Sequence, residues 1–290
     1  MVVLTGVIRT KSVDVTAGTI EYRDEGDPAG PPVVLLHGLL MNDSQWDLVL
    51  PLLPAGHRYV LPVLPFGGHR VPMRDDADLT MPGMVNVVAD FLDALDLTDV
   101  TLVVTDWGGP LFLTDIGRDK RVGSMIICPS EAFENFPPGL PGKVTWVATR
   151  SPLTVSIAMR MLAVGWLRRR YLVFGMMAKK PIPQQIVEHW FGHALQHSAL
   201  RRDVIRYARS RFVKSELVRA TESLARFDGD VLVLWSHNPV MPDRHARRLA
   251  DLTNATLRYV DDAHVLIMLD QPEQTARAIG AFLSRASLGR

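Results

Sequence analysis

The chain has 290 residues, 47% hydrophobic and 22% charged, enough for one large globular domain or one domain carrying an insertion. Lys and Arg number 32 against 31 Asp and Glu, a formal net charge of +1, so the basic excess of a nucleic-acid binder is missing. A single cysteine, Cys128, excludes an internal disulfide and suits a reducing cytoplasm, and no uninterrupted apolar stretch reaches spanning length, so no membrane partner is expected.

The first eleven residues lack the apolar run and small-residue cleavage site of a secretory signal, which fits a cytoplasmic location. Residues 13–15 and 19–23 read as short strands around a turn at Gly18. Residues 32–36 form a continuous apolar run, a fully buried strand, ending in His37-Gly38. A short helix is predicted over residues 46–53 and a strand over 59–64, closed by Pro65, Gly67 and Gly68. Apolar residues recur at three and four over residues 84–97 (Val87, Val88, Phe91, Leu92, Leu95), the pattern of an amphipathic helix. A strand over 100–105, a helix over 107–116 and a strand over 122–128 follow, with Cys128 as a buried small hydrophobe at its end.

The rhythm then changes. Residues 132–225 read as helical, rich in Met and Arg, and open on Pro137, Pro138 and Pro141. The basic run Arg168-Arg169-Arg170 in this block reads as a solvated helix face. Alternation returns with strand 231–235, helix 244–252, strand 256–260 and helix 273–283. Strands alternating with helices imply a mostly parallel sheet covered by helices on both faces. A helical block after the sixth strand implies a cap over the carboxyl ends of the strands, where open α/β sheets bind ligands. The expected division is therefore a core from 1–131 and 226–290 with a helical cap at 132–225.

The segment Val103-Val104-Thr105-Asp106-Trp107-Gly108-Gly109 has the strand–turn–helix context of a nucleophile elbow, G-x-S-x-G, with Asp106 where serine usually stands. The glycines allow a tight start to the helix, and Thr105 replaces the first glycine of the usual pattern. His264, after the last strand, follows the nucleophile in the expected chain order. His189, His193 and His197 stand at helical spacing but lack a flanking carboxylate pattern, so no metal site is expected. No phosphate-binding glycine fingerprint is present and no cofactor is implied.

These motifs resemble the haloalkane dehalogenase and epoxide hydrolase branch of the α/β-hydrolases, and the resemblance runs from the His37-Gly38 loop to His264. Leu64-Pro65-Phe66-Gly67-Gly68-His69-Arg70 stands where that branch has a glycine-rich loop. Asp106-Trp107-Gly108-Gly109 is similar to the dehalogenase nucleophile motif. Ser130-Glu131-Ala132-Phe133 resembles the segment where one dehalogenase subfamily carries its catalytic Glu. The resemblance implies an α/β-hydrolase fold with a cap after strand six. It also implies Asp106 attack on sp3 carbon to give an alkyl ester, and His264 as the base for its hydrolysis. Glu131 is the expected partner of His264, with Glu134, Asp261 and Asp262 as rivals, because the position after strand seven that usually holds the acid is Asn238.

The backbone N–H groups of Leu39 and Trp107 are expected as the oxyanion hole, and the Trp107 indole as a halide donor. Leu39 stands where many dehalogenases have a second halide donor, Asn; Asn42 follows shortly but is out of register. Trp146, Trp166 and Trp190 are candidates for a second donor. Tyr171 and Tyr207 are the cap tyrosines available to an epoxide hydrolase. His37 and Phe133 complete the expected pocket set. The expected partners are a small apolar organic substrate and water, and the expected state is a monomer or homodimer. Cleavage of a carbon–halogen bond is the first reading. Epoxide opening and a non-catalytic hydrolase-fold binding protein are the alternatives.

Overall fold

The computed structural model describes residues 10–168 and 174–286. Strands β1 (Thr10–Val15), β2 (Gly18–Gly26), β3 (Pro32–Leu35) and β4 (Arg58–Pro62) precede helix α1 (Met81–Ala94), and strands β5 (Val100–Asp106) and β6 (Val122–Ser130) follow. Then come α2 (Gly139–Ala148), α3 (Pro152–Ala163), α4 (Gly165–Arg168), α5 (Gln184–Gln196), α6 (Ser198–Ala208) and α7 (Lys214–Glu222). The chain closes with β7 (Asp230–Trp235), α8 (Asp243–Thr253), β8 (Thr256–Tyr259), α9 (Ile267–Asp270) and α10 (Pro272–Ala286).

The strands form one 8-stranded sheet in the order β1-β2-β4-β3-β5-β6-β7-β8. β2 runs antiparallel to both its neighbours and every other pair is parallel. Every residue of β5 is buried, as a central strand covered on both faces must be. The helical insertion sits between β6 and β7 in the chain, so this is the α/β-hydrolase fold with a cap after the sixth strand.

Two predicted helices are shorter than the sequence pattern suggests. Residues 46–53 hold two 3₁₀ turns, Asp43–Trp46 and Leu50–Leu52, because Pro51 and Pro54 remove the N–H donors a longer helix needs. After Asp106 only the 3₁₀ turn Gly109–Phe112 forms. Gly108 and Gly109 are poor helix formers, Pro110 lacks a donor, and Gly117 in the left-handed region (φ +68°) ends the segment. Arg169, Arg170 and Tyr171 lie outside the described residues.

The cap is tied to the core by polar clasps set in apolar surroundings. Asp203 on α6, fully buried, accepts the Met73 N–H at 2.8 Å and lies 3.3 Å from His69 Nε2. His69 Nδ1 accepts the Gly67 N–H, which leaves Nε2 to donate to Asp203. Asn42 donates to the His189 carbonyl on α5, and Thr221 Oγ1 on α7 accepts the Phe133 N–H. A buried acceptor serving a backbone amide cannot be lost cheaply, because the amide is then stranded. Asp203→Ala is expected to cost about 3 kcal/mol of unfolding free energy, and Asp203→Asn distinctly less, since its amide oxygen still accepts from Met73. Urea titration of the two variants checks this; a loss below about 1 kcal/mol in the alanine variant would remove Asp203 as an anchor.

Candidate active site

β5 delivers Asp106 to the carboxyl edge of the sheet and the chain turns there at once. Asp106 sits in the left-handed region with φ 58°, a conformation that costs a non-glycine residue about 1–3 kcal/mol and is held by its surroundings. The hold is visible on both sides. The Glu131 N–H donates to the Asp106 carbonyl at 2.9 Å, continuing the β5–β6 pairing past Ser130. On the other side a Cβ at Gly38 would lie 2.1 Å from Asp106 Oδ2, so only glycine lets the β3 loop pass. That passage brings the Leu39 N–H to 2.9 Å from Asp106 Oδ2.

The Asp106 carboxyl opens onto a cavity of about 640 Å³ with walls that are mostly apolar. Leu39, Trp107, Glu131, Trp146 and Tyr207 share its lining, together with Met159, Phe174 and Phe212. Burial pushes the Asp106 carboxyl up to about 6, against the lowering effect of the Leu39 N–H. Burial and then the Asp106 charge push Glu131 well above the usual carboxylate range, opposed by the Gly108 N–H. Two buried carboxyls in one cavity do not both ionise readily, so Asp106 carries the charge and Glu131 the proton. The Trp107 indole is buried, packed edge-on against Phe66, and its N–H makes no well-formed hydrogen bond. Burial pushes the Tyr207 hydroxyl well above its ordinary range, and the neighbouring Trp107 side chain opposes that rise.

Other expected residues fall elsewhere. His37 is fully buried away from the cavity: Nε2 accepts the Leu64 N–H at 2.8 Å and Nδ1 lies 2.9 Å from the Gly38 carbonyl. Burial pushes its pKa down to about 4, so it is a neutral brace for the loop rather than a pocket wall. Phe133 is buried behind the cavity, under the Arg248 guanidinium. Of the three cap tryptophans, Trp146 lines the cavity with an unpaired N–H, Trp166 is 70% exposed, and Trp190 packs into the cap interior against Phe174 and Phe191. Tyr171 lies outside the described residues. Asn42 is consumed by Ser44, Gly68 and His189.

The histidine is not brought to the nucleophile. His264 is absent from the cavity lining, and its ring makes no hydrogen bond to Asp106 or Glu131; its Nδ1 is buried without a partner. Burial lowers its pKa, and the charges that act on it are those of Asp270, Lys179 and Asp262. The next residue, Val265, is the one turned fully into the core. Asn238 does not serve the ring either: its Oδ1 accepts from the Val240 and Met241 amides in an Asx turn. Glu134 pairs with His245 and Arg244, and Asp262 with Lys179.

Asp270 is a residue that sequence reasoning passed over. It is fully buried and accepts three backbone N–H groups, from His264, Lys179 and Lys180. Its signal was faint, a lone acid directly after the apolar run Val265-Leu266-Ile267-Met268-Leu269.

Comparison with known proteins fits this geometry. Residues 33–278 match the Alpha/beta hydrolase family. A haloalkane dehalogenase of Mycolicibacterium paratuberculosis is 33% identical over 172 residues, 54% of each chain. One of Psychrobacter cryohalolentis is 38% identical over 91 residues, 31% of this chain and 30% of its own. The chain thus spans about half or less of the length of these curated relatives. Among solved structures, a mutant of DBJA superposes with TM-score 0.76 at 17% identity, covering 97% of this chain and 100% of that one. A loop variant of the haloalkane dehalogenase DbeA from Bradyrhizobium elkanii gives 0.74 at 16%, covering 97% and 98%; likeness at these identities speaks for the fold. The chain belongs to the alpha/beta hydrolase family, and the curated relatives it resembles in part are haloalkane dehalogenases.

Proposed function

We propose that the chain cleaves carbon–halogen bonds in small apolar haloalkanes, with Asp106 as the nucleophile. The observation that carries this reading is the pairing of a buried carboxylate with an unpaired Trp107 N–H at the floor of an apolar cavity. An Asp106 oxygen attacks the carbon, the carbon–halogen bond breaks with its electron pair, and an alkyl ester forms while halide leaves. Trp107 N–H, and Trp146 N–H across the cavity, are the donors for the departing charge. A carboxylate attacking an ordinary ester would give an anhydride, so ester hydrolysis is a poor fit. Epoxide opening needs a ready acid, and the Tyr207 hydroxyl is held well above its ordinary range.

The second half needs a base to take a proton from water as it attacks the ester carbonyl. Glu131 lines the cavity beside Asp106, and His264 does not. Burial and the Asp106 charge together hold Glu131 protonated; ester formation removes the second of these, so the Glu131 carboxyl becomes more acidic at that moment. Glu131 is therefore the base that this arrangement favours, in place of the expected His264–Glu131 pair. The Leu39 N–H, already at 2.9 Å, and the Trp107 backbone N–H are the donors for the oxyanion.

Intact-mass measurement with a short bromoalkane tests the order of events. Asp106→Asn is expected to take no alkyl group. Glu131→Gln is expected to take the group and hold it, with ester hydrolysis slowed at least about 100-fold. His264→Gln is expected to turn over nearly as the unaltered chain does; a held ester in that variant would return the base to His264. An ester that persists in the unaltered chain would make it an alkyl acceptor or binding protein rather than a hydrolase.

Trp107→Phe keeps the ring and loses the donor, so adduct formation is expected to slow on the order of 100-fold while unfolding stability changes little. Equal adduct rates would make Trp107 a packing residue. The rate of adduct formation is also expected to rise with pH through about 6 and level off above it, because Asp106 must be ionised to attack. A midpoint near the ordinary carboxylate value of about 4 would mean that the carboxyl is hydrated in solution.

A further inference from the structure

Ten large hydrophobic side chains stand exposed among the described residues, and eight of them fall within residues 140–166, on the first helices of the cap. They follow helical spacing. On α2 they are Leu140, Val144 and Val147, and on α3 Leu153, Ile157 and Met161, each set a single outward stripe. Val164 and Trp166 extend the surface to α4; Leu153 is 69% and Trp166 70% exposed. Val144, Val147, Ile157 and Met161 also line the cavity, so the stripe is the rim of its mouth.

Charge is distributed with the same bias. Residues 135–187 contain no Asp or Glu and eight Lys or Arg, in a chain whose net charge is only +1. Lys143, Arg150 and Arg160 are exposed on or beside the two helices, and Arg150 lies over the Trp146 ring at 4.3 Å. An apolar stripe flanked by cations without a single anion is the pattern of a helix that lies in a membrane interface. A twofold pairing of this face with a second copy would set cations against cations, which the charge disfavours.

We propose that the α2–α4 face of the cap docks on an anionic lipid surface, with the mouth of the cavity against the bilayer. No described helix is long and apolar enough to cross a membrane, and none need be: the stripes sink into the acyl boundary while the cations meet lipid headgroups. This departs from the sequence-based expectation of no membrane partner, which rested on the lack of a spanning segment. The docking stands whether or not the carbon–halogen chemistry does, since Asp106, Glu131 and Trp107 take no part in it. Where both hold, an apolar substrate reaches the cavity from the lipid phase.

Co-sedimentation of the full chain with vesicles tests it, using phosphatidylcholine alone and phosphatidylcholine mixed with phosphatidylglycerol. Binding to the mixed vesicles is expected to be at least about tenfold tighter and to weaken with salt. Leu153→Glu/Trp166→Glu and Lys143→Glu/Arg160→Glu, all on exposed positions, are each expected to lower it at least about tenfold with unchanged thermal unfolding. A blue shift in tryptophan emission on binding, lost in Trp166→Phe, is the independent signature of insertion. The proposal is overturned by no binding to mixed vesicles, by variants that bind as the unaltered chain does, or by a vesicle-free dimer that Leu153→Glu/Trp166→Glu splits.

Discussion

A carboxylate held out of water with one hydrogen bond is the constraint around which this structure is arranged. Asp106 pays the cost of burial and of a left-handed backbone together, and neither cost is repaid inside the residue itself. The fold meets it from three directions. The β5–β6 ladder runs one bond further than regular pairing to hold the Asp106 carbonyl, the Gly38 loop closes on the carboxyl, and Leu39 contributes the N–H. His37, neutral and locked between two backbone groups, braces that loop from behind. The residues that look most chemical in the His37-Gly38-Leu39 run are thus supports, and the chemistry is in the backbone between them.

The second carboxyl follows from the first. Register in a parallel pair places Glu131 beside Asp106, because Ser130 pairs with Asp106. Proximity in an apolar cavity couples them: the Asp106 charge adds to burial in raising Glu131. A group whose acidity changes when its neighbour is esterified is suited to a reaction in two stages. On the proposed reading it holds its proton while Asp106 is anionic and gives it up more readily once Asp106 is esterified.

The fold was legible because its signals are repeated. Each parallel strand is a continuous apolar run, and the break at residue 132 is a change of period over ninety-odd residues that no local accident imitates. The sharp turn at Asp106 was legible because Asp106-Trp107-Gly108-Gly109 encodes it. The pocket was only partly so: Trp146, Trp166 and Trp190 are equivalent in sequence, and what separates them is which face of a cap helix meets the core, a tertiary fact. Short helices were overestimated where Pro51 and Pro110 withdrew donors from otherwise helical patterns. His264 shows the sharpest limit. Chain order brings a histidine to the loop after β8, but where its ring turns is decided by tertiary packing, and here its Nδ1 is buried without a partner.

That orientation is not a matter of one rotamer. The peptide before His264 is fixed by the bond from its N–H to Asp270, and the peptide after it by Ser236 Oγ, which donates to the His264 carbonyl at 2.6 Å. Val265, the next residue, is fully buried. A shift of this stretch of backbone therefore breaks the bonds to Asp270 and Ser236, each worth about 0.5–1.5 kcal/mol, and disturbs a buried apolar side chain. The same acceptor holds the Lys179 and Lys180 amides, where the chain passes from the α4 side of the cap to α5. Loop and cap are thus fastened to one buried carboxylate, so a movement that freed His264 would also release that stretch of the cap. The backbone at His264 is thereby coupled to the insertion whose helices line the cavity.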